Sequence, residues 1–125
     1  MNILFIMILF HIIDDFCLQP ISLSKLKQKN WWINEAKKQS LSFDRYKYDY
    51  LMALFIHSLS WSIMIHLPIM ILCNISDFSL FLSVFINMLI HFTIDDLKAN
   101  RGQINLIYDQ IIHLIQIIIT FIILI

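Results

Sequence analysis

Apolar residues run along this chain in four long blocks. They do not follow the spaced stripe of a surface helix or the alternation of a half-buried strand. The blocks cover about residues 2–20, 48–73, 78–95 and 104–125. A helix crossing the hydrocarbon core of a bilayer needs about 20 mostly apolar residues. In lipid the backbone must satisfy its own hydrogen bonds within each segment, so segments of this length read as helices despite their many isoleucines. The pattern predicts an all-α polytopic membrane protein: a bundle of four transmembrane helices forming one domain over residues 1–125. The first block has no Lys or Arg before it and no small-residue cleavage site after it, so it reads as a span and not as a signal peptide.

The polar stretch at about residues 21–47 joins the first two blocks. It mixes lysines with Leu23, Leu26, Trp31, Trp32, Ile33, Ala36, Leu41 and Phe43. A tryptophan pair beside lysines suits the headgroup layer, so this connector is expected to contain an amphipathic helix lying on the membrane surface. Seven of the nine basic residues lie here (Lys25, Lys27, Lys29, Lys37, Lys38, Arg45 and Lys47), and the other two, Lys98 and Arg101, lie between the third and fourth blocks. The short link 74–77 has none. The positive-inside rule then puts both basic connections in the cytoplasm and both termini outside, as in a multi-pass protein of the bacterial inner membrane. Cys17 and Cys73 fall at opposite faces in this arrangement, too far apart to bridge.

Composition sharpens this picture. The chain is 59% hydrophobic and 14% charged, against about 45–50% and about 25% in soluble domains, which excludes an ordinary soluble globule. Nine basic and nine acidic residues cancel, which excludes a nucleic-acid partner held through phosphates. Membrane lipids and a second copy of the chain remain the expected partners.

Ionisable residues inside membrane helices are costly, about 2.5–3.5 kcal/mol for an Asp at the helix centre. This chain carries them in a repeated spacing. His11 and Asp15, His91 and Asp95, and Asp109 and His113 are each His/Asp pairs four residues apart, and the second block adds His57. Residues four apart leave a helix from one face, one turn apart, so such a pair can grip one cation. Because the spans alternate in direction, all seven residues fall at one depth, toward the cytoplasmic leaflet. In helical bundles, carboxylates and imidazoles on facing helices build metal sites in this way.

The predicted metal ligands are therefore His11, Asp15, His57, His91, Asp95, Asp109 and His113. Asp15, Asp95 and Asp109 are also the candidate catalytic carboxylates, one of them acting as a base toward a metal-bound water. Imidazole with carboxylate suits zinc first, with manganese or iron as alternatives. Three carboxylates balance two divalent ions plus a hydroxide, or one ion with an excess negative charge that Lys98 offsets. Gln19, Asn87, Gln110 and Lys98 are the candidate supporting residues. The two glutamines and Asn87 are expected to orient imidazoles or a water, and Lys98 to hold an anionic headgroup. Asp14 and Asp96 adjoin the ligand carboxylates. His66 lies nine residues beyond His57, about 13.5 Å deeper and half a turn around, and is read as structural. Trp61 is read as a packing or lipid-facing residue.

The ordered set His11-xxx-Asp15-Phe16-xx-Gln19, His57, His91-xxx-Asp95-xx-Lys98, Asp109-Gln110-xx-His113 resembles the bacterial and phage membrane-protein family numbered 3307 among the domains of unknown function. The likeness covers almost the whole chain and implies the same seven functional residues and a phage or mobile-element setting. More loosely, the chain resembles small inner-membrane proteins regarded as metal-dependent hydrolases. The expected function is a membrane-embedded metal-dependent hydrolase with a one- or two-ion His/Asp site, acting on a lipid or lipid-linked ester or phosphoester. The alternatives are a small phage or defence membrane effector whose metal is structural, and an ion- or proton-conducting protein.

Overall fold

The structure is a computed structural model and describes residues 2–125. Six helices follow one another, with no strand among the described residues. α1 (Ile3–Ile12) passes without a break into a π-helical segment, Ile13–Leu18, and two short helices, α2 (Ile21–Leu26) and α3 (Lys29–Lys38), come next. A single 3₁₀ turn, Phe43–Tyr46, leads into α4 (Asp49–Leu72), which is followed by α5 (Asp77–Ala99) and α6 (Leu106–Leu124).

The ends of these helices have local causes. The side chains of Asn2, Ser76 and Asn105 cap α1, α5 and α6 by accepting bonds from the N–H groups of Leu4, Ser79 and Tyr108. The extended backbone of Gln19 before Pro20 stops the first helical run. Gly102 takes a positive φ of 61° in the turn between α5 and α6, a conformation that costs glycine little.

Among the described residues three helices, not four, are long and apolar enough to cross a bilayer: the runs Phe43–Leu72, Asp77–Ala99 and Leu106–Leu124. The first predicted span falls short. Its ten α-helical and six π-helical residues give at most about 24 Å at ~1.5 Å each, against about 30 Å of hydrocarbon. The Asp14–Asp15 pair and Pro20 cut it off. α1 nevertheless packs along the others. It touches α4 and α6, and α5 touches the same two, so α1, α4, α5 and α6 close into a ring. Met7 of α1 is buried with Trp61, Ile65, Ile69 and Ile117, and Ile3, Leu4, Cys73 and Leu124 each pack against the same cluster.

The ring is inverted relative to a water-soluble bundle. Among the described residues, fourteen buried ones are polar or charged and nine are hydrophobic, while large apolar side chains such as Phe5, Phe78, Phe81, Ile122 and Ile123 stand more than 60% exposed. In water this arrangement would waste apolar area. In hydrocarbon, where tails are as apolar as leucine, polar groups are the ones that must hide.

The connector is two short helices and a turn, not one amphipathic rod. Trp32 stacks on Tyr46 at 5.6 Å and donates its indole N–H to the Leu26 carbonyl at 2.9 Å. Asn100, at the end of α5, fixes this region: its amide donates to the Lys27 carbonyl at 3.1 Å, and its oxygen accepts from the Lys29 N–H at 2.7 Å. This clamp turns Lys27 inward. Cys17 and Cys73 are both free.

Candidate metal centre

The π-helical segment sets the first wall of the site. Both adjacent aspartates of this segment, Asp14 and Asp15, face the interior. Such π turns are frequent at functional sites. Asp14 accepts from Ser60 Oγ at 2.7 Å and lies 3.8 Å from His57 Nδ1. Asp15 lies 3.3 Å from His57 Nε2 and accepts from Gln110 Nε2 at 3.1 Å.

Asp95 of α5 is the hub. Its Oδ2 accepts from Lys27 Nζ at 2.6 Å and lies 3.5 Å from His57 Nε2. Its Oδ1 faces His113 Nε2 at 3.5 Å, His91 Nε2 at 3.8 Å and Lys98 Nζ at 3.8 Å. On α6, Asp109 Oδ2 accepts from Lys98 Nζ at 2.6 Å and from Gln110 Nε2 at 3.1 Å, and its Oδ1 lies 3.4 Å from His113 Nε2. His91 and His113 stack at 4.0 Å, and Trp61 packs against both rings, stacking on His91 at 4.2 Å and tilted against His113 at 5.3 Å.

Two groups of potential ligand atoms emerge, each with its atoms within 4.8 Å of one another: Asp15, His57 and His91; and His91, Asp95 and His113. His91 belongs to both. Both imidazoles at the centre are fully buried, yet neither nitrogen of His91 or of His113 has a hydrogen-bond partner among the described residues. Asp15 Oδ1 and Asp109 Oδ1 are unpaired as well. Leaving one buried polar group without a partner costs about 1–3 kcal/mol. One nitrogen of each ring, together with a carboxylate oxygen, lies in a group that could hold a cation.

The predicted residues do not all stand alike. His57, His91, His113, Asp15 and Asp95 converge. Asp109 adjoins His113 but is committed to Lys98. His11 is buried, but its Nδ1 accepts the Trp61 indole N–H at 2.7 Å, so its other nitrogen carries the proton and offers no lone pair. His11 lies outside both groups. Asn87 does not reach the imidazoles: its amide donates to Thr120 Oγ1 at 2.9 Å and to the Ser83 carbonyl at 3.0 Å, further along the bundle. Lys98 is not free for a headgroup, because two carboxylates hold it. Asp96 faces away and pairs with Arg101 at 3.0 Å. Gln110 ties Asp15 to Asp109, and Gln19 accepts from Lys27 at 3.3 Å. His66 is structural, bonded at both nitrogens to the Ser62 carbonyl and Ser83 Oγ.

Two participants escape sequence reasoning. Trp61, read as a packing residue, is the buried platform of the centre. Lys27, read as part of a solvated or interfacial connector, is 4% exposed and bonded to the hub. No periodicity marks either residue. The cue for Lys27 is its place in LKQKN, between a helix stop at Pro20 and the tryptophans, but nothing local separates it from Lys25 or Lys29.

A cavity of about 210 Å³ reaches the centre, lined by Asp15, Lys27, His57, Asp95, Lys98 and Gln110 together with Phe16, Gln19, Ser24 and Leu106. It opens at the end of the bundle that carries the connector and the α5–α6 turn. Its size is below the roughly 300–1,000 Å³ of pockets that engulf drug-sized ligands. It admits water and a headgroup-sized fragment, not a whole lipid.

The fold and interior define a class: an all-helical protein with helices apolar enough for a membrane and an ionisable cluster sealed among them. The chain matches the family described as protein of unknown function (DUF3307) over residues 3–125, and it belongs to that family. No curated protein and no solved structure matches it.

Proposed function

We propose that the chain is a membrane-embedded metal protein holding one divalent cation, zinc before manganese or iron, among His57, His91, His113, Asp15 and Asp95. The observation that carries this reading is the pair of fully buried imidazoles, His91 and His113, with four unpartnered nitrogens. Charge supports a single ion. Four buried carboxylates (Asp14, Asp15, Asp95 and Asp109) face two ammonium groups (Lys27 and Lys98), leaving two negative charges for one dication to neutralise. Two ions with a hydroxide would overshoot, which disfavours the dinuclear alternative in a low-dielectric site.

The activity that best suits this centre is metal-dependent hydrolysis of a lipid or lipid-linked ester or phosphoester. A bound metal would supply a hydroxide near neutral pH and polarise the scissile bond. Asp15, with an unpaired oxygen beside His57 and the cavity, is placed to accept a proton from water. Lys27 and Lys98 line the same cavity and neutralise Asp95 and Asp109, while Trp61 and Gln110 hold the surrounding side chains in place. The cavity mouth lies on the side of the basic connections. Under the positive-inside rule that side faces the cytoplasm, at the inner leaflet of a bacterial cytoplasmic membrane. The packing of Ile3 and Leu4 against the same buried cluster that Cys73 and Leu124 touch supports α1 as a fourth, short rod, with both termini outside the cytoplasm. A membrane adapts to a short helix by thinning at modest cost.

The test is metal analysis of the purified chain in detergent, followed by turnover of phospholipids and lipid-linked phosphoesters. One tightly held dication and a hydrolysis product, both lost in His91→Ala, are expected. A metal-free protein that hydrolyses nothing overturns the reading. Metal without turnover leaves the structural-metal alternative in its place.

A further inference from the structure

Asp14 is the buried carboxylate that the proposed centre leaves without a task, neither a ligand nor the partner of a lysine. It is 2% exposed and belongs to neither group of potential ligand atoms. Its Oδ1 accepts from Ser60 Oγ at 2.7 Å, while its Oδ2 has no hydrogen-bond partner among the described residues. A carboxylate oxygen with an unmade bond is costly in a low-dielectric interior, where no water completes it.

The imidazole of His57 stands between Asp14 and the centre. Its Nε2 lies 3.3 Å from Asp15 Oδ1 and 3.5 Å from Asp95 Oδ2. Its Nδ1 has Asp14 Oδ2 at 3.8 Å. His57 and Ser60 are three residues apart on α4 and so share a face of that helix. The serine holds one oxygen of Asp14, and the free oxygen is the one nearest the imidazole.

A neutral imidazole has one lone pair to give and one N–H to satisfy. A metal held at Nε2 puts the proton on Nδ1, and that N–H needs an acceptor. Asp14 Oδ2 is the unpaired acceptor within reach. The separation exceeds an ordinary N–H···O distance by roughly 0.9 Å, a gap that a modest rotation of the ring closes.

We propose that Asp14 is a positioning residue of the metal centre: its Oδ2 accepts the Nδ1–H of His57 and so fixes the tautomer and ring orientation that present Nε2 to the cation. Ser60 holds the carboxylate in place. The two adjacent aspartates then have different tasks, Asp15 on the cation side of His57 and Asp14 behind it. A carboxylate behind a metal-bound imidazole also makes the ring a stronger ligand. The proposal rests on the metal reading above and needs no hydrolysis.

The experiment uses the full chain in detergent micelles, with heavy nitrogen in its histidines and zinc alone as the probe. Affinity is read by competition with a chromophoric chelator. The His57 ring is read by nuclear magnetic resonance, its signals assigned through ring and backbone couplings. In the zinc-loaded parent, Nε2 is expected at the shift of a metal-bound nitrogen, and Nδ1 is expected to carry a bonded proton far downfield. Asp14→Asn keeps the shape and a weaker, neutral acceptor. It should lower zinc affinity about tenfold and move that proton upfield. Asp14→Ala should lose the bonded proton and lower affinity by up to about a hundredfold. Loss of charge alone would also weaken binding, but it would leave the proton signal in place. Ser60→Ala keeps every charge, changes an exposed position, and should still shift the proton, because the carboxylate loses its anchor. A parent that takes up no zinc overturns the metal reading and this proposal together. Zinc bound to His57 through Nδ1, or a His57 N–H signal indifferent to all three variants, overturns the role of Asp14 and leaves the metal reading standing.

Discussion

The two ends of the bundle hide polar groups by opposite means. At one end His66 spends both ring nitrogens, on the Ser62 carbonyl at 2.7 Å and Ser83 Oγ at 2.8 Å, and Asn87, Thr120 and Gln116 bond one another through neutral groups. At the other end His91 and His113 spend none of theirs, although carboxylates lie within 4 Å. The neutral end is nearly closed upon itself and works as structure, in the way interhelical hydrogen bonds hold membrane helices together. The charged end is open in its bonding, and an open set of buried donors and acceptors is stable only if something else completes it.

The comparison breaks most severely at the hub. Asp95→Ala leaves the ammonium of Lys27 buried without its partner and is expected to cost about 3–5 kcal/mol, read as denaturant or thermal unfolding in micelles, with complete loss of bound metal. Next is the ion itself. Zinc at about a hundred times its dissociation constant should raise stability by about 2.7 kcal/mol, and a chelator should remove that gain. If the metal-stripped chain melts where the loaded one does, the charged end is closed by some other means.

The neutral end gives the contrast. His66→Phe deletes two hydrogen bonds and should cost about 1–3 kcal/mol while leaving metal affinity unchanged in a titration. The smallest effect on stability is expected from His91→Phe. The ring can still stack on Trp61, and no hydrogen bond is lost, so the metal-free protein should stay within about 1 kcal/mol of the parent while metal binding disappears. A large destabilisation of the metal-free His91→Phe chain would show that its nitrogens have partners after all.

The sequence by itself determined the helical, lipid-facing character of the chain. Blocks of Ile, Leu and Phe near the length of a bilayer admit only that reading, because unpaired backbone is intolerable in hydrocarbon. It also determined that His57, His91, His113, Asp15 and Asp95 would share a depth, since alternating spans put residues late in one helix level with residues early in the next. Only the tertiary structure decided which of the aligned residues turn toward one another. Depth follows from counting along a helix, but facing depends on how each helix is rotated in the bundle, and a one-residue change in winding rotates it by a quarter-turn or more. Tertiary contacts also gave His11 to Trp61, sent Asn87 to the neutral end, and folded Lys27 back across some 68 residues of chain to Asp95. Such long-range pairings leave no periodic trace, because their physical cause is the need of a buried charge for a counter-charge, and any lysine within reach can meet that need.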